Sequence, residues 1–201
     1  MEICENGLNL EYVENFLDAK EADNLLKVLE QQITYMDPEL TKVRVFGKWH
    51  HIPRQQVAFG DAGLSYKFSG TRIKACGWPD ILEPLRDRLQ HSTNQRYNFV
   101  LVNRYRDGQD HIGEHRDDEK ELDGDAAIAS ISLGQPRRFV LRHVSTVRKL
   151  GGPPPIRFEL GHGSLLLMKP PTNQYWYHSL PVSKTANGVR INLTFRKMNT
   201  P

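Results

Sequence analysis

Beyond residue 96 the chain is a succession of short strands, and this pattern limits the possible fold more than any other feature. The segments alternate in polarity or are rich in Val, Ile, Leu and Phe, as buried and half-buried strands are. Many short strands that follow helices favour a β-sandwich or jelly roll with the helices packed outside. Residues 134–137 (GQPR) predict a hairpin turn between two of these strands. The predicted strands are 97–105, 127–133, 138–143, 156–160, 164–168 and 189–196.

Two amphipathic helices are predicted before the strands. Asp18, followed three residues later by Glu21, resembles a capping box, and apolar residues continue at helical spacing to residue 33. A second apolar stripe runs through residues 80–90, with Pro84 near its start, where the first helical turn tolerates proline. Helices followed by strands predict the α+β class.

Length and composition predict a single soluble domain. The chain has 201 residues, which is enough to bury a core without metal or disulfide crosslinks. No apolar run reaches the roughly 20 residues that span a bilayer, and the start MEICENGLNL lacks the pattern of a secretory signal. We therefore expect no membrane association and a reducing compartment. The only two cysteines, Cys4 and Cys76, exclude a disulfide framework and a four-cysteine zinc site.

The charge is distributed unevenly along the chain. Residues 1–40 hold ten acids against two lysines, whereas the whole chain has a net charge of +3. Residues 41–201 therefore carry a net charge of +11, with 25 basic and 14 acidic residues. A body this basic is compatible with a polyanionic partner such as nucleic acid, and equally with ordinary surface charge.

A metal site is predicted from two histidines and an aspartate. His115 and Asp117 are two residues apart, so on a strand or at its end they point the same way. His178 on a distant strand would complete a set of two histidines and one carboxylate, which leaves open positions on iron(II). A histidine followed two residues later by Asp or Glu is expected about once by chance in a chain of this composition. The same three ligands would also suit a zinc hydrolase.

The last predicted strand carries four polar residues on one face. Arg190, Asn192, Thr194 and Arg196 alternate with apolar residues, and buried arginines require anions. Two arginines suit a dicarboxylate, because guanidinium binds carboxylate through two hydrogen bonds. Asn103 and Tyr105 share another strand face just before the H-x-D pair, and both are able to donate to the same ligand. The alternative is a basic stripe on the surface.

Three motifs together resemble the AlkB family of iron(II)- and 2-oxoglutarate-dependent dioxygenases. They are NRYRDGQDHIGEHRDDE at 103–119, YHSLP around His178 and RINLTFR at 190–196. Residues 45–70, VFGKWHHIPRQQVAFGDAGLSYKFSG, resemble the branch of double-stranded-DNA oxidative demethylases found in animal nuclei. The resemblance covers nearly the whole chain. It implies a double-stranded β-helix (jelly roll) core at 96–198, a nucleotide-recognition lid at 41–75 and an acidic helical segment at 1–40.

The resemblance also implies cofactors and roles for particular residues. Iron(II) would be held by His115, Asp117 and His178, and O2 and 2-oxoglutarate would be co-substrates. The N-methyl carbon of a damaged base is then hydroxylated, which releases formaldehyde and succinate. The implied 2-oxoglutarate contacts are Asn103, Tyr105, Arg190, Thr194 and Arg196. By analogy, Arg190 and Tyr105 hold the distal carboxylate, while Arg196 and Asn103 support the end that chelates iron.

Recognition of DNA is predicted to require base flipping, since a methyl group on the Watson–Crick edge is unreachable inside a duplex. Residues 41–60 carry four cations and no acid, and Phe46 matches the intercalating residue of the family. Phe68 and His115 would sandwich the flipped base, and Asp118 would pair with a cationic lesion. From the local pattern alone, Phe46 also fits a core aromatic residue. The predicted substrate contacts are Phe46, Gly47, Lys48, Arg54, Gln56, Tyr66, Phe68, His115, Asp118 and Arg142.

Two segments depart from the branch. The loop at 147–155 (VRKLGGPPP) has fewer basic residues, and SKT at 183–185 stands where the branch shows a run of bases. We see no sliding-clamp motif near the start, and we expect a nuclear monomer. The predicted lesions are 1-methyladenine and 3-methylcytosine in duplex DNA, with ethenoadenine as a further candidate. The alternatives are a demethylase of RNA or single strands, a protein hydroxylase, and an inactive nucleic-acid-binding module.

Overall fold

The computed structural model describes residues 1–45, 47–68 and 71–199. Its helices are α1 (Ala19–Gln32), α2 (Glu83–Thr93), α3 (Val144–Val147) and α4 (Thr172–Tyr175), with a 3-10 turn at Pro38–Thr41. The strands of the described ranges are β1 (Glu2–Glu5), β2 (Leu8–Val13), β3 (Lys42–Val45), β4 (Lys48–His51), β5 (Gln55–Gly60), β6 (Ser65–Phe68), β7 (Thr71–Lys74), β8 (Phe99–Tyr105), β9 (Ile112–His115), β10 (Ile128–Gly134), β11 (Arg137–His143), β12 (Ile156–Leu160), β13 (Ser164–Met168), β14 (Trp176–Leu180) and β15 (Arg190–Arg196).

The strands form two main antiparallel sheets. The major sheet has the order β1-β2-β13-β10-β15-β8-β5, and the minor sheet has the order β12-β11-β14-β9. Apolar side chains from both sheets, such as Leu166, Met168, Phe139 and Trp176, form one buried cluster, so the sheets pack face to face. Two hairpins, β3–β4 and β6–β7, stand apart as two-stranded sheets. The predicted α+β jelly roll is confirmed.

Both long helices cover the outer face of the major sheet. Leu25 and Leu29 of α1 and Leu85 and Leu89 of α2 are buried in one cluster with β10, β13 and β15. The predicted capping box is present, because the Asp18 carboxylate accepts from the Glu21 amide at 2.8 Å and the Glu21 carboxylate accepts from the Asp18 amide at 3.2 Å. Among the helices of the described ranges, none has the length and apolar content needed to cross a bilayer.

The prediction that residues 1–40 are helical is wrong for their first third. β1 and β2 form a hairpin, and β2 extends the major sheet by pairing with β13. Leu8 and Leu10 alternate with polar residues and are buried against the minor sheet. This period of two indicates a strand, although acids crowd the segment.

The predicted hairpin at 134–137 is also wrong. β10 pairs with β13 and β15, whereas β11 pairs with β12 and β14, so the turn carries the chain from one sheet to the other. Gly134 has a positive φ of 81°, and the Gln135 amide donates to the Val189 carbonyl at 2.8 Å. The turn is therefore held by the segment that leads into β15.

Arg137, at the start of β11, binds the backbone of two loops. Its buried guanidinium donates to the carbonyl oxygens of Asp107, Asp110 and Pro181 at 3.0, 2.9 and 2.8 Å. Because carbonyls left without donors in a buried site are costly, this side chain stabilises two loops at once.

We expect Arg137→Met to lower the free energy of unfolding by about 3 kcal/mol, since three carbonyl oxygens lose their donor. Urea denaturation followed by circular dichroism measures the change. The matched control is Arg138→Met on the exposed face of the same strand. Equal stabilities for the two variants would contradict this role of Arg137.

Candidate iron and 2-oxoglutarate site

The three predicted metal ligands meet at the edge of the minor sheet. β9 ends at His115, and its antiparallel neighbour β14 places His178 directly opposite. Asp117 follows two residues after β9. Ligand atoms of the three side chains lie within 4.8 Å of one another, and His115 Nε2 is 3.7 Å from Asp117 Oδ1. The prediction of a site with two histidines and one carboxylate is confirmed.

Burial and a neighbouring arginine set the charges of this cluster. Burial lowers the pKa of His178 to about 3, with a further contribution from the nearby His115, and burial also lowers the pKa of His115. Burial by itself would raise the pKa of Asp117, but the Arg196 guanidinium, together with the two histidines, holds that pKa below its usual range. Two neutral imidazoles and one carboxylate are the protonation states that a metal requires of its ligands.

The donor atoms left over in the cluster fit one metal ion. Asp117 Oδ2 accepts from Arg196 at 3.0 Å, whereas Oδ1 is buried without a hydrogen-bond partner within the described residues. The His115 Nδ1 atom lies 2.9 Å from the Gly113 carbonyl, which leaves Nε2 to face Asp117. The site therefore presents one carboxylate oxygen and imidazole nitrogens, a set that suits iron(II).

The inward face of β15 lines a polar cavity next to the metal site. Its four polar side chains are buried, whereas the residues between them pack into the cluster under the helices. The cavity has a volume of about 840 Å³ and is continuous from Arg190 past the three metal ligands to the β3–β4 hairpin. Each predicted co-substrate contact lines it: Asn103, Tyr105, Arg190, Thr194 and Arg196.

Arg190 is a buried cation that has no acidic partner among the described residues. Its guanidinium donates to the Ser132 hydroxyl at 3.0 Å and lies 5.2 Å from the centre of the Tyr105 ring. Within the described ranges it forms no ion pair, and its Nε has no hydrogen-bond partner. Burial lowers the pKa of Arg190 to about 10, so the group remains charged at neutral pH. A buried guanidinium in this state suits a ligand carboxylate.

Arg196, by contrast, is occupied by the metal site itself. It pairs with Asp117, and its guanidinium lies 4.9 Å from the centre of the Tyr66 ring. Its Nε and NH1 atoms have no hydrogen-bond partner among the residues described. Both arginines of β15 line the cavity, but they differ in their partners, since Arg196 pairs with the metal ligand Asp117 whereas Arg190 donates to the Ser132 hydroxyl.

The predicted DNA contacts fall into four groups. Phe46 and the side chain of Phe68 lie outside the described residues. Lys48 is exposed on β4, while Gly47 has a positive φ of 81° at the turn before it. Arg54 and Gln56 are directed inward, and both donate to Asn103 Oδ1.

The remaining predicted contacts already have partners on the protein. Asp118 pairs with Arg116 at 2.8 Å, and Arg142 pairs with Glu114 at 2.7 Å. The Tyr66 hydroxyl donates to the Glu119 carboxylate. Of these, Tyr66 and Asp118 line the cavity, as His115 does.

Sequence reasoning missed Glu119 as a site residue. No role was predicted for Glu119, but it lines the cavity and one of its oxygens is buried without a partner among the described residues. Burial raises the pKa of Glu119, and the charge of Asp117 adds to this. Nine acids crowd residues 107–125, so no local signal separates this one from its neighbours.

Comparison with known proteins agrees with this geometry. The model of the 2OG-Fe(II) oxygenase superfamily matches residues 9–196. The chain belongs to this superfamily. Within it the chain is an AlkB-family protein of the ALKBH2 type: it is 51% identical over 194 residues to the mouse DNA oxidative demethylase ALKBH2, covering 96% of this chain and 81% of the relative. The human protein of the same name is 50% identical over 197 residues, covering 96% and 74%.

A solved structure titled "The structure of OsALKBH1" has the same fold. It aligns with a TM-score of 0.64 over 98% of this chain and 100% of the other, at 19% sequence identity. At that identity the likeness supports the fold alone. Membership of the superfamily identifies the cofactors, so the chain is an iron(II)- and 2-oxoglutarate-dependent dioxygenase that uses O2.

We expect His178→Ala to weaken binding of Mn(II), a redox-stable substitute for iron(II), by about 100-fold, because one of three protein ligands is lost. Isothermal titration calorimetry measures the affinity. Ser179→Ala, the next residue of β14, serves as the control and should bind as the unmodified protein does. Unchanged Mn(II) affinity in His178→Ala would show that the metal lies elsewhere.

Proposed function

We propose that this dioxygenase is a DNA repair enzyme that removes N-methyl groups from 1-methyladenine and 3-methylcytosine in double-stranded DNA. Ethenoadenine is a further candidate lesion. The observation that carries the proposal is the single cavity that joins the metal ligands to the exposed β3–β4 hairpin. A base delivered from outside has a path to the metal there. The names of the mouse and human relatives support DNA as the substrate.

The chain's own residues supply binding and orientation for this chemistry. Bound iron(II), 2-oxoglutarate and O2 would supply the hydroxylation of the N-methyl carbon. 2-Oxoglutarate would be converted to succinate and carbon dioxide, and the hydroxymethylated base would release formaldehyde. Arg190 and Tyr105 are placed to hold the distal carboxylate of 2-oxoglutarate. Arg196 keeps Asp117 ionised and turns its Oδ1 toward the histidines. Thr194 lies on the same face of β15 as the two arginines, and its hydroxyl donates to the Asn192 side-chain oxygen at 2.9 Å.

The wall of the cavity near the metal suits a cationic base. Methylation at adenine N1 or cytosine N3 leaves a positive charge, which carboxylates attract. Asp118 and Glu119 both line the cavity, and the ring of Tyr66 lies beside them. We assign the sandwich around the flipped base to His115 and Phe68.

Access to a duplex base is assigned to the lid at 41–75. Every residue of β4 is exposed, including Lys48 and the large apolar side chain of Trp49, which is 56% exposed. Lysine there is able to neutralise phosphate, and Phe46, next to Gly47 in the sequence, is the proposed wedge. We also propose the catalytic core at 96–198, a nuclear location and a monomeric enzyme.

Oligonucleotides that carry 3-methylcytosine test the function directly. With iron(II), 2-oxoglutarate and ascorbate, we expect the annealed duplex to lose the methyl group, as followed by mass spectrometry. His178→Ala should abolish the reaction. Repair of the single strand alone would keep the chemistry and discard the duplex substrate. Repair of neither, with succinate still released, would indicate another class of substrate.

Arg142 is predicted to contact the strand opposite the lesion. We expect Arg142→Ala to weaken duplex binding about fivefold and single-strand binding less, because one phosphate contact is lost. Fluorescence anisotropy at fixed salt measures both affinities.

The ion pair between Arg142 and Glu114 provides the matched variant. Glu114→Gln releases the guanidinium, so duplex binding should become stronger rather than weaker. Equal losses on duplex and single strand in Arg142→Ala would exclude a role on the complementary strand.

A further inference from the structure

Asn103, the predicted 2-oxoglutarate contact on β8, is held in place from the neighbouring strand. Gln56 lies directly opposite it on β5. The Gln56 Nε2 atom donates to Asn103 Oδ1 at 2.7 Å, and the Arg54 Nε atom donates to the same oxygen at 3.1 Å. Gln56 and Asn103 are 1% and 5% exposed, so water does not compete for these bonds.

The arginine decides which way the two amides point. A guanidinium has only donors, so the Asn103 atom that Arg54 contacts must be the oxygen. That oxygen in turn requires a donor from Gln56, which must present its nitrogen. These hydrogen bonds therefore determine which atom of each side-chain amide is the oxygen and which is the nitrogen.

This orientation leaves one amide oxygen without a partner and one amide nitrogen available to a ligand. The Gln56 Oε1 atom is buried without a hydrogen-bond partner in the described part of the chain, which is unfavourable for a folded protein. The Asn103 Nδ2 atom, which donates to none of the described residues, is left for a ligand of the cavity that Asn103 lines. An amide NH2 group is a suitable donor to a carboxylate.

We propose that Gln56 is a positioning residue for the co-substrate, because together with Arg54 it fixes the Asn103 amide with its NH2 group toward 2-oxoglutarate. It does not read DNA, although it lies in the segment that resembles the DNA-recognition region. The inference rests on the assignment of Asn103 to 2-oxoglutarate under the proposed function.

Binding of 2-oxoglutarate to the Mn(II)-loaded enzyme without DNA tests the proposal. Gln56→Met has nearly the same shape but no donor, so we expect about tenfold weaker binding by calorimetry. The midpoint of urea denaturation should stay the same or rise, because the variant also removes the unpartnered carbonyl oxygen. A merely structural glutamine would lower stability together with affinity.

Gln55→Met is the matched control. Gln55 is adjacent on β5 but faces away, where its Oε1 accepts from Arg104 NH1 at 2.8 Å. This variant loses a side-chain amide of the same kind without reaching Asn103. It should bind 2-oxoglutarate within about twofold of the unmodified enzyme.

Gln56→Glu reverses the polarity of the contact. A carboxylate attracts both the Arg54 guanidinium and the Asn103 NH2 group, which turns the Asn103 oxygen toward the ligand, so we expect a loss of about 30-fold or more. Asn103→Ala separates the two assignments. If it weakens binding while both Gln56 variants bind normally, the positioning role is overturned and Asn103 keeps its role. If Asn103→Ala binds normally, the assignment of Asn103 fails and the positioning role fails with it, whereas DNA demethylation is tested independently by the oligonucleotides.

Discussion

The ion pair between Asp117 and Arg196 is the contact on which the rest of the site depends. Both side chains are almost completely buried, at 2% and 4% exposure, and their atoms are 3.0 Å apart. Removal of either partner would leave an uncompensated charge in the interior, which is far more costly than loss of an exposed pair. The pair connects β15 of the major sheet to the segment that follows β9 of the minor sheet. It therefore connects the two sheets next to the metal site, and it keeps the Asp117 carboxylate ionised.

The two faces of β15 explain how one strand serves both stability and function. Ile191, Leu193 and Phe195 are completely buried under the helices, so the strand is held in place by apolar packing. The opposite face can then carry polar groups that contribute little to the stability of the fold. Arg190 is the clearest case, because its charge faces a cavity where a dicarboxylate would complete its contacts. The cost of burying that cation is offset by the core behind it.

The surface around the cavity has a different character. Lys48 and Trp49 on the β3–β4 hairpin are exposed, whereas Arg142 is already engaged by an acid of the minor sheet. The loop after β11 ends in three prolines, and Leu150 within it is 75% exposed. The contacts proposed for the damaged strand and for its complement therefore lie on separate parts of the structure. The segment proposed to contact the complement is also the one in which this chain departs from the branch that it resembles.

Patterns of short range were sufficient for much of the fold. The capping box at Asp18, the alternation of β15 and the bounds of β12 and β13 were predicted because each depends on neighbours a few residues away. The helical segment at 80–90 was predicted three residues too early, since α2 begins at Glu83. The N-terminal hairpin was missed because its acids obscured the alternation of Leu8 and Leu10.

The sequence by itself determined which groups are available: two histidines and a carboxylate for a metal, and two arginines on one strand face. The H-x-D pair was no rarer than chance, so its meaning came from the motifs around it. Only the tertiary structure decided that Arg196 pairs with Asp117 while Arg190 donates to Ser132, and that Gln56 donates to Asn103. The physical reason is that local periodicity specifies the face on which a side chain lies. Its partner depends on which strands pair, and that is settled by burial across the whole domain.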